Sequence, residues 1–114
     1  MSQLPYALSQ AEQDVLDERR GQRTREGFDA AHDDAHELGE MALAGACYAR
    51  EAWSALALGV GDTPVPGWAP EDWPWHSSWW KPSGNRRNLV KAAALILAEI
   101  ERLDRAAARK GGAA

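Results

Sequence analysis

The chain has 114 residues, a formal net charge of −4 and a mean hydropathy of −0.51. That length allows one domain with a modest core, and the acidic balance argues against a duplex-nucleic-acid binder. The lone Cys47 excludes an internal disulfide and a multi-cysteine zinc site, and no apolar run nears the roughly 20 residues that a membrane span needs.

A first helix is predicted over residues 9–26. Ser9-Gln10-Ala11-Glu12 has the capping-box pattern, in which hydroxyl and carboxylate satisfy orphan helix amides reciprocally. The apolar content is thin (Ala11, Val15 and Leu16), and the same face continues through Arg19, Gln22 and Glu26. A second helix is predicted over 33–58, capped by Asp33 or Asp34, with Leu38, Met41, Gly45, Tyr48, Ala49, Ala52 and Leu56 as its buried stripe. Each helical glycine costs about 1 kcal/mol relative to Ala, so Gly39 and Gly45 are expected to admit a close neighbour.

Residues 59–84 hold five of the six prolines and five of the six tryptophans. A connection of that length and composition is expected to be an ordered, irregular loop wrapping the helices. A third helix is predicted over 85–109, capped by Ser83 or Asn85, with a frayed tail over 110–114. Its stripe of Leu89, Ala93, Ile96, Ile100, Leu103 and Ala107 is the cleanest amphipathic signal in the chain, and Glu101 and Arg105 form an i,i+4 pair on its outer face. The fold class is all-α: a three-helix domain, one helix shorter than the other two, over residues 1–114. Two helices of roughly 24 residues are each about 36 Å long, more than one short helix can cover, which predicts a homodimeric bundle.

Four groups of residues carry chemistry. His32, His36 and Glu40 are spaced i, i+4, i+8, a pattern that holds a divalent metal or contacts a ligand; the alternative is a solvated acidic helix start. Arg19 and Gln22 can read a base edge or phosphate, or form an internal network in which Arg19 pairs with Glu37 or Glu40. In the loop, Trp75, Trp79 or Trp80 offers a stacking face, and Lys81, Arg86 and Arg87 lie where a helix N-terminus can help hold phosphate. Arg19, Gln22, His32 and Glu40 complete that pocket if the first two helices abut the loop. Finally, Glu37 and Glu40 with Glu101 and Asp104 have the E-x-x-E and E-x-x-D spacing that gathers Mg²⁺ in MazG-like nucleotide pyrophosphohydrolases. Here the leading E-E-x-x-E is missing and the gap between the pairs is too long for adjacent helices.

Glu18-Arg19-x-x-Gln22, His32-Asp33-Asp34, Trp73-Pro74-Trp75, Trp79-Trp80-Lys81-Pro82 and Arg86-Arg87-Asn88-Leu89-Val90-Lys91-Ala92 together resemble a family of small proteins of tailed phages and prophages, over residues 12–105. The resemblance implies a setting in the host cytoplasm, where phage proteins of this size neutralise host defence, some by sequestering signal nucleotides. The sequence is therefore read as a non-catalytic, self-associating binder of a nucleotide-like ligand that needs no cofactor and meets neither duplex nucleic acid nor membrane. The alternatives are a Mg-dependent pyrophosphohydrolase, and an interaction module that docks its tryptophan loop on a host or phage protein.

Overall fold

A computed structural model describes residues 6–25, 29–61 and 67–112. The described residues form four α-helices and no strand: α1 (Gln10–Arg25), α2 (Ala30–Asp34), α3 (Glu40–Leu58) and α4 (Asn85–Gly112), with a 3-10 turn at Ser77–Trp79. The fold is all-α. No helix among these residues is long and apolar enough to cross a membrane.

At the start of α1 the capping box forms: the Ser9 amide donates to Glu12 Oε1 at 2.8 Å and the Glu12 amide to Ser9 Oγ at 3.1 Å. The polar continuation of its face turns inward, since Glu18, Arg19 and Gln22 are buried. Glu26 lies outside the described residues.

Where the sequence predicts one helix over 33–58, the chain makes two. Asp29 caps α2 by accepting the His32 amide at 2.9 Å, so neither Asp33 nor Asp34 serves as the expected cap. Asp33 is buried against Arg19, and Asp34 pairs with Arg105 and Arg109. That takes Arg105 away from the predicted pair with Glu101. The break falls at Gly39, whose φ of +80° is left-handed and awkward for any residue with a Cβ. A Cβ there would meet nothing within 4 Å, so Gly39 serves backbone conformation rather than close approach. Gly45 does the reverse: a Cβ would stand 3.0 Å from the Ala92 carbonyl oxygen and 3.1 Å from Ile96 Cγ1, and its absence lets α3 and α4 touch. Leu38 and Leu56, expected in the buried stripe, are exposed, while Met41, Gly45, Tyr48 and Ala52 are buried as expected, joined by Ala44 and Cys47.

Helix α4 is the hub, packing against α3, α1 and α2. It is anchored at its start by Asn88, whose side chain accepts the Ser83 amide at 2.7 Å and donates to the Ser83 carbonyl at 2.9 Å. It runs on to Gly112, past the expected end at 109. Its inner face is Asn88, Ala92, Leu95, Glu99 and Arg102, all buried. The predicted core stripe faces outward: Leu89, Ile96, Ile100 and Leu103 are 44%, 43%, 50% and 52% exposed.

The tryptophan loop is pinned at both ends of its described part. Arg50 donates to both oxygens of Asp72, at 3.0 and 2.6 Å, and the Lys81 amide donates to Tyr48 Oη at 3.1 Å. Between these anchors Trp73 enters the core with Ala44, Cys47, Tyr48, Ala92 and Leu95. Trp80 stacks on Tyr48 with centroids 4.7 Å apart, and Trp73 meets both rings edge-on.

Candidate functional site

The loop tryptophans divide by role. Trp73 and Trp80 are packing, Trp68 is 97% exposed, and Trp75 and Trp79 stand between two adjoining pockets as shared walls. The 3-10 turn explains how Trp79 reaches this place. His76 Nδ1 accepts the Ser78 amide at 3.1 Å, and the Trp79 amide donates to the His76 carbonyl at 3.0 Å. That turn leaves the Trp79 ring half in solvent with Lys81 Nζ 5.5 Å from its centroid, a cation–π contact.

The inner pocket is small, about 60 Å³, and lies among Gln22, Tyr48, Trp75, Trp79, Lys81 and Lys91, with Glu18 at its wall. Gln22 is 4% exposed, and its Oε1 accepts no hydrogen bond among the described residues. A buried carbonyl oxygen without a donor carries a desolvation cost of about 1–3 kcal/mol, so the pocket favours an occupant that can donate to it. Lys91 Nζ donates to the Lys81 carbonyl at 2.6 Å and lies 5.4 Å from the Tyr48 ring, which ties loop to α4 beside the pocket.

The outer pocket measures about 290 Å³ and is bounded by Trp75, Trp79 and all three histidines of the chain, His32, His36 and His76. Histidine placement begins in the core. Arg19 is 2% exposed and donates through Nη2 to Asp33 at 2.6 Å and through Nε to Glu101 at 2.8 Å. The Glu37 or Glu40 partner expected for Arg19 is thus replaced by Asp33 and Glu101. Asp33 in turn meets His32 Nδ1 at 3.3 Å, while Glu40 meets His36 Nδ1 at 3.1 Å and accepts the Leu38 amide at 2.7 Å. The two imidazoles face each other, Nε2 to Nε2, at 3.4 Å. Burial alone would raise the carboxyls of Glu40 and Glu101. In Glu40 the backbone amides and His36 outweigh it, and in Glu101 the guanidinium groups of Arg19 and Arg23 do, so both lie below their ordinary value.

Arg86 and Arg87 are elsewhere. Arg86 Nη1 donates to Asp14 at 2.8 Å, and Arg87 pairs with the buried carboxylate of Glu18. Both line a wide groove of about 790 Å³ between α1 and α4, where Arg20 and the two arginines face Asp14, Asp17 and Glu18. Glu18 lines both this groove and the inner indole pocket.

Of the residues proposed from sequence, the structure therefore gathers Trp75, Trp79, Lys81, Gln22 and His32. Arg19 and Glu40 stand behind the histidines, Trp80 lies in the packing, and Arg86 and Arg87 line the separate groove. Glu37, Glu40, Glu101 and Asp104 are not brought together: Glu101 is held by Arg19 and Arg23, Glu40 by His36 and the Leu38 amide, and Glu37 and Asp104 are exposed. Among the described residues no three metal-ligating side chains converge. His76 and Lys91 were not singled out by sequence reasoning. His76 follows Trp75 directly, a usable signal, whereas only tertiary packing brings Lys91 to the pocket. No family model, curated protein or solved structure matches the chain.

Proposed function

We propose that this chain is a binding protein for a small planar anion of the nucleotide type. The observation that carries the reading is the shared wall of Trp75 and Trp79, with Lys81 Nζ poised over Trp79. A nucleobase laid in the outer pocket would stack on indole, an interaction worth roughly 1–3 kcal/mol per base. A phosphate at the rim would meet Lys81, with Lys91 deeper along the same wall. The inner pocket would offer Gln22 Oε1 to an exocyclic amine or a water carried by the ligand. Phosphate neutralisation thus falls to lysines in place of the arginines proposed from sequence.

In the phage setting implied by the sequence resemblance, such a protein would sequester a host signal nucleotide without chemistry. Self-association belongs to the same reading, because the outer face of α4 presents Leu89, Ile96, Ile100 and Leu103, an apolar stripe that a second copy would cover.

Calorimetry against linear and cyclic nucleotides is the test. Saturable heat with at least one of them, reduced about tenfold or more in Trp79→Ala, is expected. No heat with any nucleotide, or heat unchanged in Trp79→Ala, would remove the proposal.

A further inference from the structure

The outer face of α4 is patterned as well as exposed. Leu89, Ala93, Ile96, Ile100, Leu103 and Ala107 follow one another at steps of four, three, four, three and four residues. That alternation is the 3.5-residue repeat of a seam between packed helices, and none of the six positions carries a charge. The four large side chains stand 43–52% in solvent.

The order of sizes along the seam selects the partner. It reads Leu-Ala-Ile-Ile-Leu-Ala, and a second copy running the other way supplies the complement at each position. Leu89 falls opposite the second copy's Ala107, Ala93 opposite its Leu103, and Ile96 opposite its Ile100. Every layer then holds one large and one small side chain or two isoleucines, so facing rows interdigitate without voids or overlap. A parallel pair would set Ala93 on Ala93 and Ala107 on Ala107, leaving gaps. It would also align the two helix dipoles and bring the Arg86–Arg87 ends together.

Room for the incoming helix exists beside α4. At Gly45 the α3 backbone comes so close to Ile96 that a Cβ would stand 3.1 Å from its Cγ1, and the nearby Ala42 and Ala46 of α3 are small and exposed. With them the face bares on the order of 600 Å² of apolar surface, the upper end of what a monomer leaves open. Two copies would bury on the order of 1,200 Å², which reaches the lower end of a specific interface.

We propose that two copies of this chain pair through α4 in antiparallel register, about a two-fold axis level with residue 98. This arrangement presupposes the self-association proposed above and gives it an orientation and a register.

Exchanging sizes across one layer tests it by sedimentation equilibrium. The parent chain should be largely dimeric at about 100 μM and dissociate on dilution. Leu103→Ala and Ala93→Leu, each checked for native helicity, should each weaken the dimer at least about fivefold, the first by a gap and the second by overlap. A chain carrying both should return to within about twofold of the parent, because the leucine and the space have traded places. In a Cys47→Ser background, Ala93→Cys mixed with Leu103→Cys should give a disulfide-linked dimer on mild oxidation, and neither should do so alone. Additive losses in the double variant, or linkage of either cysteine variant to itself, would overturn the antiparallel register and leave self-association standing. A parent chain monomeric at all concentrations, whether or not it binds lipid vesicles, would overturn both. No nucleotide is present in these measurements, so they stand apart from the ligand proposal.

Discussion

The groove between α1 and α4 and the pocket under the tryptophan loop make opposite use of polar groups. The groove is the larger, about 790 Å³ against 290 Å³, and holds three arginines. Yet Arg86 and Arg87 already face carboxylates of α1, so two of the three are neutralised before any ligand arrives. The smaller site is left with unfinished business: a buried Gln22 oxygen that has no donor among the described residues. Neither volume nor the number of cations makes an anion site when the fold supplies the counter-charges itself.

The comparison can be broken most forcefully at its foundation. Arg19→Met leaves Asp33, itself 1% exposed, without its guanidinium partner and should cost about 3–5 kcal/mol of folding stability in urea denaturation. A loss below about 1 kcal/mol would mean that the pocket floor is not built on this pair. Next in size, Trp79→Ala should weaken nucleotide binding by about tenfold or more while Arg86→Ala changes it less than about twofold. The opposite ranking in calorimetry would move the site to the groove. On the outer face of α4, Ile100→Glu should shift the chain to monomer in light scattering without loss of helicity, whereas a parent chain already monomeric at all concentrations would remove the self-association proposal.

Acid separates the two regions more gently. Glu101 belongs to the network under the pocket, and its folded value lies below the ordinary 4.5. The stability it contributes is complete above about pH 4.5 and fades as pH falls through the lowered value. Asp14 in the groove is lowered from 3.8 by Gln10 and Arg86, but it belongs to an exposed pair whose loss has little consequence. Acid titration of the parent chain against Glu101→Gln should show the variant losing less stability between pH 5 and pH 3, and an Asp14→Asn variant should follow the parent curve.

Much of the helical frame was legible because local rules dictate it. The Ser9–Glu12 capping box and the loop's Trp-Pro chemistry depend on near neighbours alone. What escaped was tertiary. Helical periodicity reports which residues share a face, not which face is covered, so the large aliphatics of α4 read as core although the buried stripe is made of alanines, Leu95 and the polar Asn88, Glu99 and Arg102. The same limit hid the site. Arg86 and Arg87 follow the tryptophans closely in sequence, but Asp14 and Glu18 on α1 claim them first. The i,i+4 spacing of His32 and His36 was visible, while the αL turn at Gly39 that separates their segment from α3 was not.

The most direct test of the account observes the six indole N–H groups at once. In a ¹⁵N–¹H correlation spectrum with assigned side chains, a bound nucleotide should shift the Nε1–H signals of Trp75 and Trp79 and leave those of Trp53 and Trp68 in place. Unmoved Trp75 and Trp79 signals, with the guanidinium signals of Arg86 and Arg87 shifting in their stead, would contradict it.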